Sequence, residues 1–576
     1  MRMSVGLIGL ILTGGSLGYV TIVDANQEED LAKIRWSADI RAKLASDLAK
    51  QVITTPQDEL IPINIELQDQ VNQNLIEANS NILDKAQRRA AVIALLKDHA
   101  QLTQQGLIAM LNQEQALGTV SQRLRTLWIA NVVATEATPA AIYRIAQRED
   151  IALITIDQRL GSEIFPVEPL IDKDNGKGGG GGNSGGDPLT GATIECGVQR
   201  MRAPEVWSDF GLTGEGVVVG IIDTGCCITH PDLENQIWNN QGEIPNNGVD
   251  DDHNGYVDDV VGWNFQFNNN DISDTHSHGT HTTGSVAGDG TNGNATGLAP
   301  DVSMMILEIW TSFSGESTVW EAMQYSVDNG ADIISVSLGW PHFANPNRQM
   351  WRNICINTIA SGVVVIYAAG NEGLCCNSPP DEIRTPGDVP EIITVGATNC
   401  NDNIAGFSSK GPVTWENISP WFDCAYQPGC MKPTISAPGV NTLSTLNNCS
   451  GYTTMSGTSM ATPHVAGAVA LMLQANPNLD HDAIKTILMD TSVDLGTPGM
   501  DNTYGAGRVD VYEAVLASFP VNEADLDGDG VVSTADILIL FASWGPCADC
   551  GNCPADFDGN CAVDTTDLLF LFAHWG

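Results

Sequence analysis

The stretch Val217-Val218-Val219-Gly220-Ile221-Ile222-Asp223-Thr224-Gly225 decides the fold. Its unbroken apolar run reads as a strand buried on both faces, as strands of a helix-covered parallel sheet are. The run ends in a carboxylate followed by a Thr-Gly turn. Open parallel sheets place their functional groups at such carboxyl ends. Further strands follow the same plan: residues 363–367 lead into Ala368-Ala369-Gly370-Asn371-Glu372-Gly373, and Ser335-Val336-Ser337-Leu338-Gly339 closes another apolar run. Helical patterns lie between them. The alternation predicts an α/β class domain built on a doubly wound, mainly parallel sheet.

Two helix starts supply what a carboxylate alone lacks. Ser277-His278-Gly279-Thr280-His281-Thr282-Thr283-Gly284 opens a helix with a histidine. Gly457-Thr458-Ser459-Met460-Ala461-Thr462-Pro463-His464 puts a serine on a tight turn before the small apolar residues 465–473, read as a buried helix. A serine hydroxyl is a poor nucleophile until a base takes its proton. Each motif has a plain structural reading: Asp-Thr-Gly is a common strand end, Gly-Thr-His a helix start, and Asn in a Gly-rich turn is usually there for its backbone. Together and in this order they carry more weight.

The order Asp, His, Ser and the four motifs resemble the subtilisin-like serine proteases (subtilases), over roughly residues 196–518. The resemblance implies that Ser459 attacks the scissile carbonyl, His278 moves the proton, and Asp223 orients the imidazole. It implies that Asn371, with the Ser459 backbone amide, stabilises the oxyanion. Ser337, Leu338 and Gly339 resemble the edge that pairs with an extended substrate, and with Ala369 and Gly370 they suggest an open apolar groove. His230, His281 and His464 match positions that are structural in the family.

Charge and cysteines set the surroundings. Residues 1–177 hold 22 acidic and 17 basic side chains, whereas residues 178–576 hold 48 acidic and 9 basic. Such a surface excludes nucleic acid and anionic membranes as partners. The 14 cysteines, none before Cys196, fit an oxidising destination with disulfides. The adjacent pairs Cys226-Cys227 and Cys375-Cys376 are expected to reach different partners, and Cys547, Cys550 and Cys553 are read as disulfide cysteines over zinc ligands. Residues 1–25 read as a signal peptide, with a basic start and an apolar stretch broken by glycines; no later segment is long and apolar enough to span a membrane. The expected location is secreted, with cell-surface association an added reading, and the expected state a monomer.

Residues 26–175 read as a small α+β unit. Residues 61–67 alternate as a strand, 81–117 carry helical spacing, 127–133 form a strand, 139–148 a helix begun by Thr138, and 151–156 another strand. The order resembles the inhibitor-type propeptide of subtilases, closest to the bacillopeptidase F type. That implies a folding template and inhibitor that the enzyme later removes; a permanent accessory domain is the other reading. Residues 176–192, with Gly-Lys-Gly-Gly-Gly-Gly-Gly-Asn-Ser-Gly-Gly at 176–186, form a flexible linker and an accessible place for cleavage. The protease domain is expected at 193–518.

Residues 521–576 carry a duplicated acidic loop that points to Ca²⁺ as structural cofactor. The first offers Asp525, Asp527, Asp529, the Val531 carbonyl and Asp536 at the spacing of an EF-hand-type loop. The second, 31 residues on, offers Asp556, Asp558, Asn560, the Ala562 carbonyl and Asp567. Each precedes a similar helix, so this small helical calcium module resembles a type I dockerin, which implies a cohesin-like partner. Cys561 stands where the loop's turn glycine belongs, and the four extra cysteines depart from that pattern. A calcium-stiffened cap is the alternative. Inside the protease region, Asp250, Asp252 and Asn254 suggest a shortened calcium loop whose twelfth position is Val261.

Two functions from different classes follow. One is a secreted endopeptidase acting on protein or peptide substrates, held in check by its own propeptide. The other is a calcium-dependent adhesion or scaffold protein on an idle protease fold. The complete set of catalytic motifs favours the first.

Overall fold

The computed structural model describes residues 38–80, 82, 85–159, 192–309, 314–373, 380–520, 522–527, 531–550 and 553–575. The expected signal peptide, nearly all of the glycine linker, Asp529, Cys375 and Cys376 lie outside them. The chain divides into two compact units.

The larger unit is built on a seven-stranded sheet. Across it run Ile435–Pro438, Ile393–Thr398, Val364–Ala368, Ile333–Val336, Val218–Asp223, Ser303–Glu308 and Gly262–Asn264, every neighbour pairing parallel. The strands are short, apolar and buried, as the continuous runs at 217–222 and 363–367 predict. Chain order reverses where Val218–Asp223 meets Ile333–Val336, so a topological switch point opens at the carboxyl ends of those strands. Asp223 ends the first of them and Ser337 follows the second.

Helix Thr458–Ala475 packs against the strands from Ile333–Val336 to Ile435–Pro438 and against helix His278–Ala287. Residues 458–473 of this helix are buried all round, so a helix with no polar face is stable here. Small residues make the packing possible: a Cβ on Gly467 would lie 2.7 Å from the Leu298 Cβ.

The smaller unit joins residues 1–164 to 309–329 and 340–362. Its four-stranded antiparallel sheet runs Arg125–Leu127, Val132–Ala137, Ile61–Leu67, Ile151–Ile156. Helices Lys85–Ala116 and Pro139–Ala146 accompany it, the second capped by Thr138 Oγ1, which accepts from Ala141 N at 3.3 Å. Ile61, Ile63, Ile65, Leu107, Leu111, Val133, Ile142 and Ile154 belong to the core.

The expected strand at 127–133 is two strands with a turn between them. Asn131 takes φ +50° there, and its side chain bonds Thr103, Gln104 and Asp69, so the apolar run bends instead of extending. The unit also carries polar contacts. Arg123 and Arg125 meet Glu321 at 3.1 and 2.8 Å, Gln324 accepts from Ile129 N, and Asp157 accepts from Ser317 N and Oγ at 2.9 and 2.6 Å. The last contact caps helix Glu316–Asp328 from outside it.

Glu66, in the middle of this sheet, is a buried carboxyl that burial pushes up to about 7. Its folded value lies above the unfolded one, near ~4.3. Its contribution to stability is therefore whole below about pH 4 and is lost as pH rises through 7. Urea unfolding of the Ser459→Ala full chain should show this unit weakening between about pH 4 and 7, and Glu66→Gln should flatten that dependence. An unchanged pH slope in Glu66→Gln would rule it out.

Disulfides join Cys196 to Cys400, Cys227 to Cys449 and Cys424 to Cys430, with Cys547–Cys553 and Cys550–Cys561 in the tail. Cys226 departs from expectation: it forms no disulfide and is buried, and loss of solvation raises its thiol to about 12. Among the described residues, no helix is long and apolar enough to cross a membrane.

Candidate active site

Asp223 and His278 come together at the switch point. His278 Nδ1 lies 2.8 and 3.0 Å from the two oxygens of Asp223, and both side chains are buried. A carboxylate only accepts, so Nδ1 carries the proton and Nε2 is left as the basic nitrogen. The Asp223 oxygens also accept from Thr224 N at 2.8 Å and Thr282 Oγ1 at 3.1 Å. These three donors fix the orientation of the carboxyl group.

Ser459 is the second residue of helix Thr458–Ala475. Its Oγ donates to the Ser337 carbonyl at 3.0 Å, and its own carbonyl accepts from Ser337 Oγ at 2.8 Å. Pro463 makes the second bond possible: four residues on, it has no N–H to offer that carbonyl. The serine is thereby anchored to the strand end beside it.

Asn371 follows strand Val364–Ala368. Its Oδ1 accepts from Thr458 N at 3.0 Å and Thr458 Oγ1 at 3.1 Å. A backbone N–H can only donate, so the amide oxygen must face Thr458 and the NH₂ group the other way. Gly370 holds the turn at φ +110°, where a Cβ would lie 2.5 Å from Glu372 Oε2.

Ser337, Leu338 and Gly339 leave the Ile333–Val336 strand beside Ser459. Ala369 and Gly370 are placed differently. Ala369 N donates to Val395 O and its carbonyl accepts from Arg384 N, both at 3.0 Å; Gly370 N donates to Thr458 Oγ1 and its carbonyl accepts from Ser409 N. Their backbones are engaged within the fold, so they shape the site without pairing to a strand. Arg384, not singled out in the sequence, donates to Glu372 and reaches the Gly339 carbonyl at 3.5 Å, bridging the two segments.

Three other histidines have structural partners. His230 meets Gly451 O at 3.1 Å, His281 meets Thr442 O at 3.0 Å, and His464 meets Met460 O at 2.8 Å. Burial, with His278 nearby, lowers His281 to about 3, so it stays neutral.

Among the described residues, carboxylates converge in three places. Ligand atoms of Asp525, Asp527 and Asp536 lie within 4.8 Å of one another, as do those of Asp556, Asp558 and Asp567. Asp536 and Asp567 are buried, and no Lys or Arg occurs from 521 to 576, so this donor set suits a hard cation such as Ca²⁺. Val531 is half exposed, Ala562 starts a short strand, and Asn560 Nδ2 donates to Asp558 at 2.9 Å. The third group is Glu243, Asp252 and Asp259. It takes Asp252 from the expected loop but not Asp250, which accepts from Asn254 N and Gly255 N, or Asn254, whose Nδ2 donates to Asp252 and Asp259. Glu243 enters from an earlier turn, invisible to a contiguous loop template. Asp232 accepts from the Tyr452 hydroxyl at 2.6 Å. Cys547 and Cys553 lie near Asp556, but their sulfurs are joined to each other and are not thiolate ligands.

Comparisons with known proteins identify the family. The profile of the Subtilase family matches residues 214–507, just over half of the chain. The chain is 27% identical over 449 residues to Bacillopeptidase F of Bacillus subtilis, covering 75% of this chain and 29% of that protein. It is 34% identical over 279 residues to the major intracellular serine protease of Bacillus subtilis, covering 48% of this chain and 74% of the relative. With subtilisin DY of Bacillus licheniformis it shares 32% over 326 residues, 56% of this chain and 98% of that one. The chain thus spans under a third of the length of Bacillopeptidase F but nearly all of subtilisin DY.

Proposed function

The chain belongs to the subtilase family, and we propose that it is a secreted serine endopeptidase, made as a self-processing precursor, that hydrolyses extracellular proteins. The observation that carries this reading is the buried Asp223–His278 pair at 2.8 Å, at the same strand ends as Ser459 and Asn371.

The chemistry runs in two halves. The Ser459 hydroxyl turns from the Ser337 carbonyl to His278 Nε2; as Oγ bonds the scissile carbon, its proton passes to Nε2. Asp223 steadies the resulting imidazolium. The carbonyl oxygen gains the negative charge and is met by the Asn371 NH₂ and the Ser459 amide, donors fixed before reaction. The C–N bond breaks as His278 returns the proton to the leaving amine. Water then repeats the sequence on the acyl-enzyme and restores Ser459.

The propeptide reading draws support from the smaller unit. Its sheet buries charged and capping contacts on helix Glu316–Asp328, which lies within the family-matched region of the sequence. A domain that caps a helix in this way suits a folding template and inhibitor. The purified active enzyme should begin between residues 166 and 196, cut by its own site, and should digest casein. An active enzyme that still starts near residue 26 rules out the inhibitor role.

Ca²⁺ is proposed as structural only. Asp525, Asp527 and Asp536, and Asp556, Asp558 and Asp567, would hold it in the tail, with Asp252 in the protease domain; bound there, it neutralises crowded carboxylates. An ion at 100 times its dissociation constant stabilises the folded state by about 2.7 kcal/mol. Chelation should therefore lower the melting temperature while leaving the chemistry intact. Asp525→Ala with Asp556→Ala should unfold the tail and spare peptidase activity. Calorimetry with and without chelator decides: a profile indifferent to calcium ends the metal reading.

The tail also leaves equivalent apolar side chains open on and just after its two helices, Thr534–Ala542 and Thr565–Ala573: Leu538, Phe541 and Trp544 at one, Leu569, Phe572 and Trp575 at the other, 44–69% exposed. This repeated face supports a docking role, toward a cohesin-like or cell-surface partner.

A further inference from the structure

Asp274 has no role in the chemistry above, yet it ties together the strand end and the helix start that carry Asp223 and His278. It is buried, and its two oxygens gather five donors. Oδ1 accepts from Thr224 Oγ1 at 3.0 Å, His276 N at 2.8 Å and Ser277 N at 2.9 Å. Oδ2 accepts from Thr280 N at 2.8 Å and Thr280 Oγ1 at 2.6 Å.

These donors come from both sides of the Asp223–His278 pair. Thr224 is the residue after Asp223; Ser277, Gly279 and Thr280 surround His278. Thr224 Oγ1 also accepts from Gly279 N at 2.9 Å, so a chain of bonds runs Gly279 N, Thr224 Oγ1, Asp274 Oδ1. Helix His278–Ala287 has no side-chain cap from Ser277, which sits at φ +80°. Its first-turn N–H groups are satisfied from this network: Gly279 by Thr224, Thr280 by Asp274. The two backbones are pressed together at this point, since a Cβ on Gly279 would lie 2.1 Å from Gly225 O. Asn447 braces the far side, donating to the Asp274 carbonyl at 3.0 Å and accepting from Ser277 Oγ at 2.8 Å.

We propose that Asp274 is a positioning residue: through Thr224 and the first turn of the His278 helix, it fixes the imidazole against Asp223 and toward Ser459. The inference rests on the Asp223–His278–Ser459 reading. A misplacement of about 1 Å at a reacting group can cost roughly 10²-fold in rate, so a clamp on the strand end and the helix start is where such tolerance is set.

The test uses the mature full-length enzyme. Asp274→Ala strands three buried donors and two half-buried ones and can fail to fold, so Thr224 carries the decisive comparison. Thr224→Val keeps the shape but loses the hydroxyl that joins Gly279 to Asp274; Thr224→Ser keeps it. Thr224→Val should lower kcat about ten- to a hundredfold with KM within about twofold. It should also shift the acidic limb of the kcat/KM profile and weaken the downfield proton signal of His278 Nδ1. Thr224→Ser should restore all three. If Thr224→Val matches the parent in kcat, pH limb and proton signal while Ser459→Ala is inactive, the positioning role is overturned and the triad stands. If Ser459→Ala retains parental activity, the triad reading falls and this inference with it.

Discussion

Replacing Ser459 by alanine is expected to leave a folded protein with almost no peptidase activity. Turnover should drop by roughly 10⁴ to 10⁶, since in triads of this type loss of the nucleophile costs about as much as loss of the whole set. The fold should survive because what anchors this position is backbone. The Ser459 carbonyl still accepts from Ser337 Oγ, and alanine is a better helix former than serine. Only the bond from Ser459 Oγ to the Ser337 carbonyl is lost. His278→Ala should match it in rate, whereas His281→Ala should not, because His281 is neutral and engaged with Thr442 O. Casein hydrolysis and a melting curve for each variant decide the matter. Parental activity in Ser459→Ala would mean that another group attacks the carbonyl.

The sequence revealed these residues because each sits where periodicity breaks. Val218–Asp223 is legible as a buried strand from its unbroken apolar run, and a carboxylate at its end is conspicuous because buried parallel strands rarely close on a charge. His278 and Ser459 stand at helix starts marked by glycine and small residues. What stayed hidden was long-range or conformational. Residues 127–133 look like one strand because hydrophobicity says nothing of the left-handed turn at Asn131. Glu243 and Asp259 meet Asp252 only after the chain has folded back on itself, so a template of consecutive positions cannot find them. Asp274, in Ser-Asp-Thr-His, looks like any polar loop residue; its five donors are three backbone amides of residues 276–280, the Thr280 hydroxyl and, from fifty residues earlier, the Thr224 hydroxyl. Ala369 and Gly370 resemble an open edge in sequence, and only the structure reveals that Val395, Arg384, Thr458 and Ser409 already occupy their backbones. Adjacent cysteines suggested two bridges at 226–227, whereas geometry gives one to Cys449 and leaves Cys226 buried.

Asn371 should carry the second largest effect. Its orientation is dictated by Thr458: because Oδ1 accepts from both the amide and the hydroxyl of that residue, the NH₂ group is turned away from Thr458. A donor held in this way is in place before charge develops, so no reorganisation is needed when the carbonyl oxygen becomes an oxyanion. Two substitutions separate support from donation. Asn371→Leu removes the donor and also strands Thr458 N. Asn371→Asp keeps an oxygen for Thr458 N and Oγ1 but puts a second oxygen where the donor was. Both should lower kcat by about 10²- to 10³-fold, with KM within about twofold, because the ground-state carbonyl gains little from the donor that the transition state needs. Asn371→Asp should be no better than Asn371→Leu, since a negative charge beside a developing oxyanion adds repulsion to the missing bond. If Asn371→Asp recovers parental kcat, the residue acts only by holding Thr458, and the oxyanion must find its donors elsewhere. If both variants match the parent, Asn371 is a turn residue and nothing more.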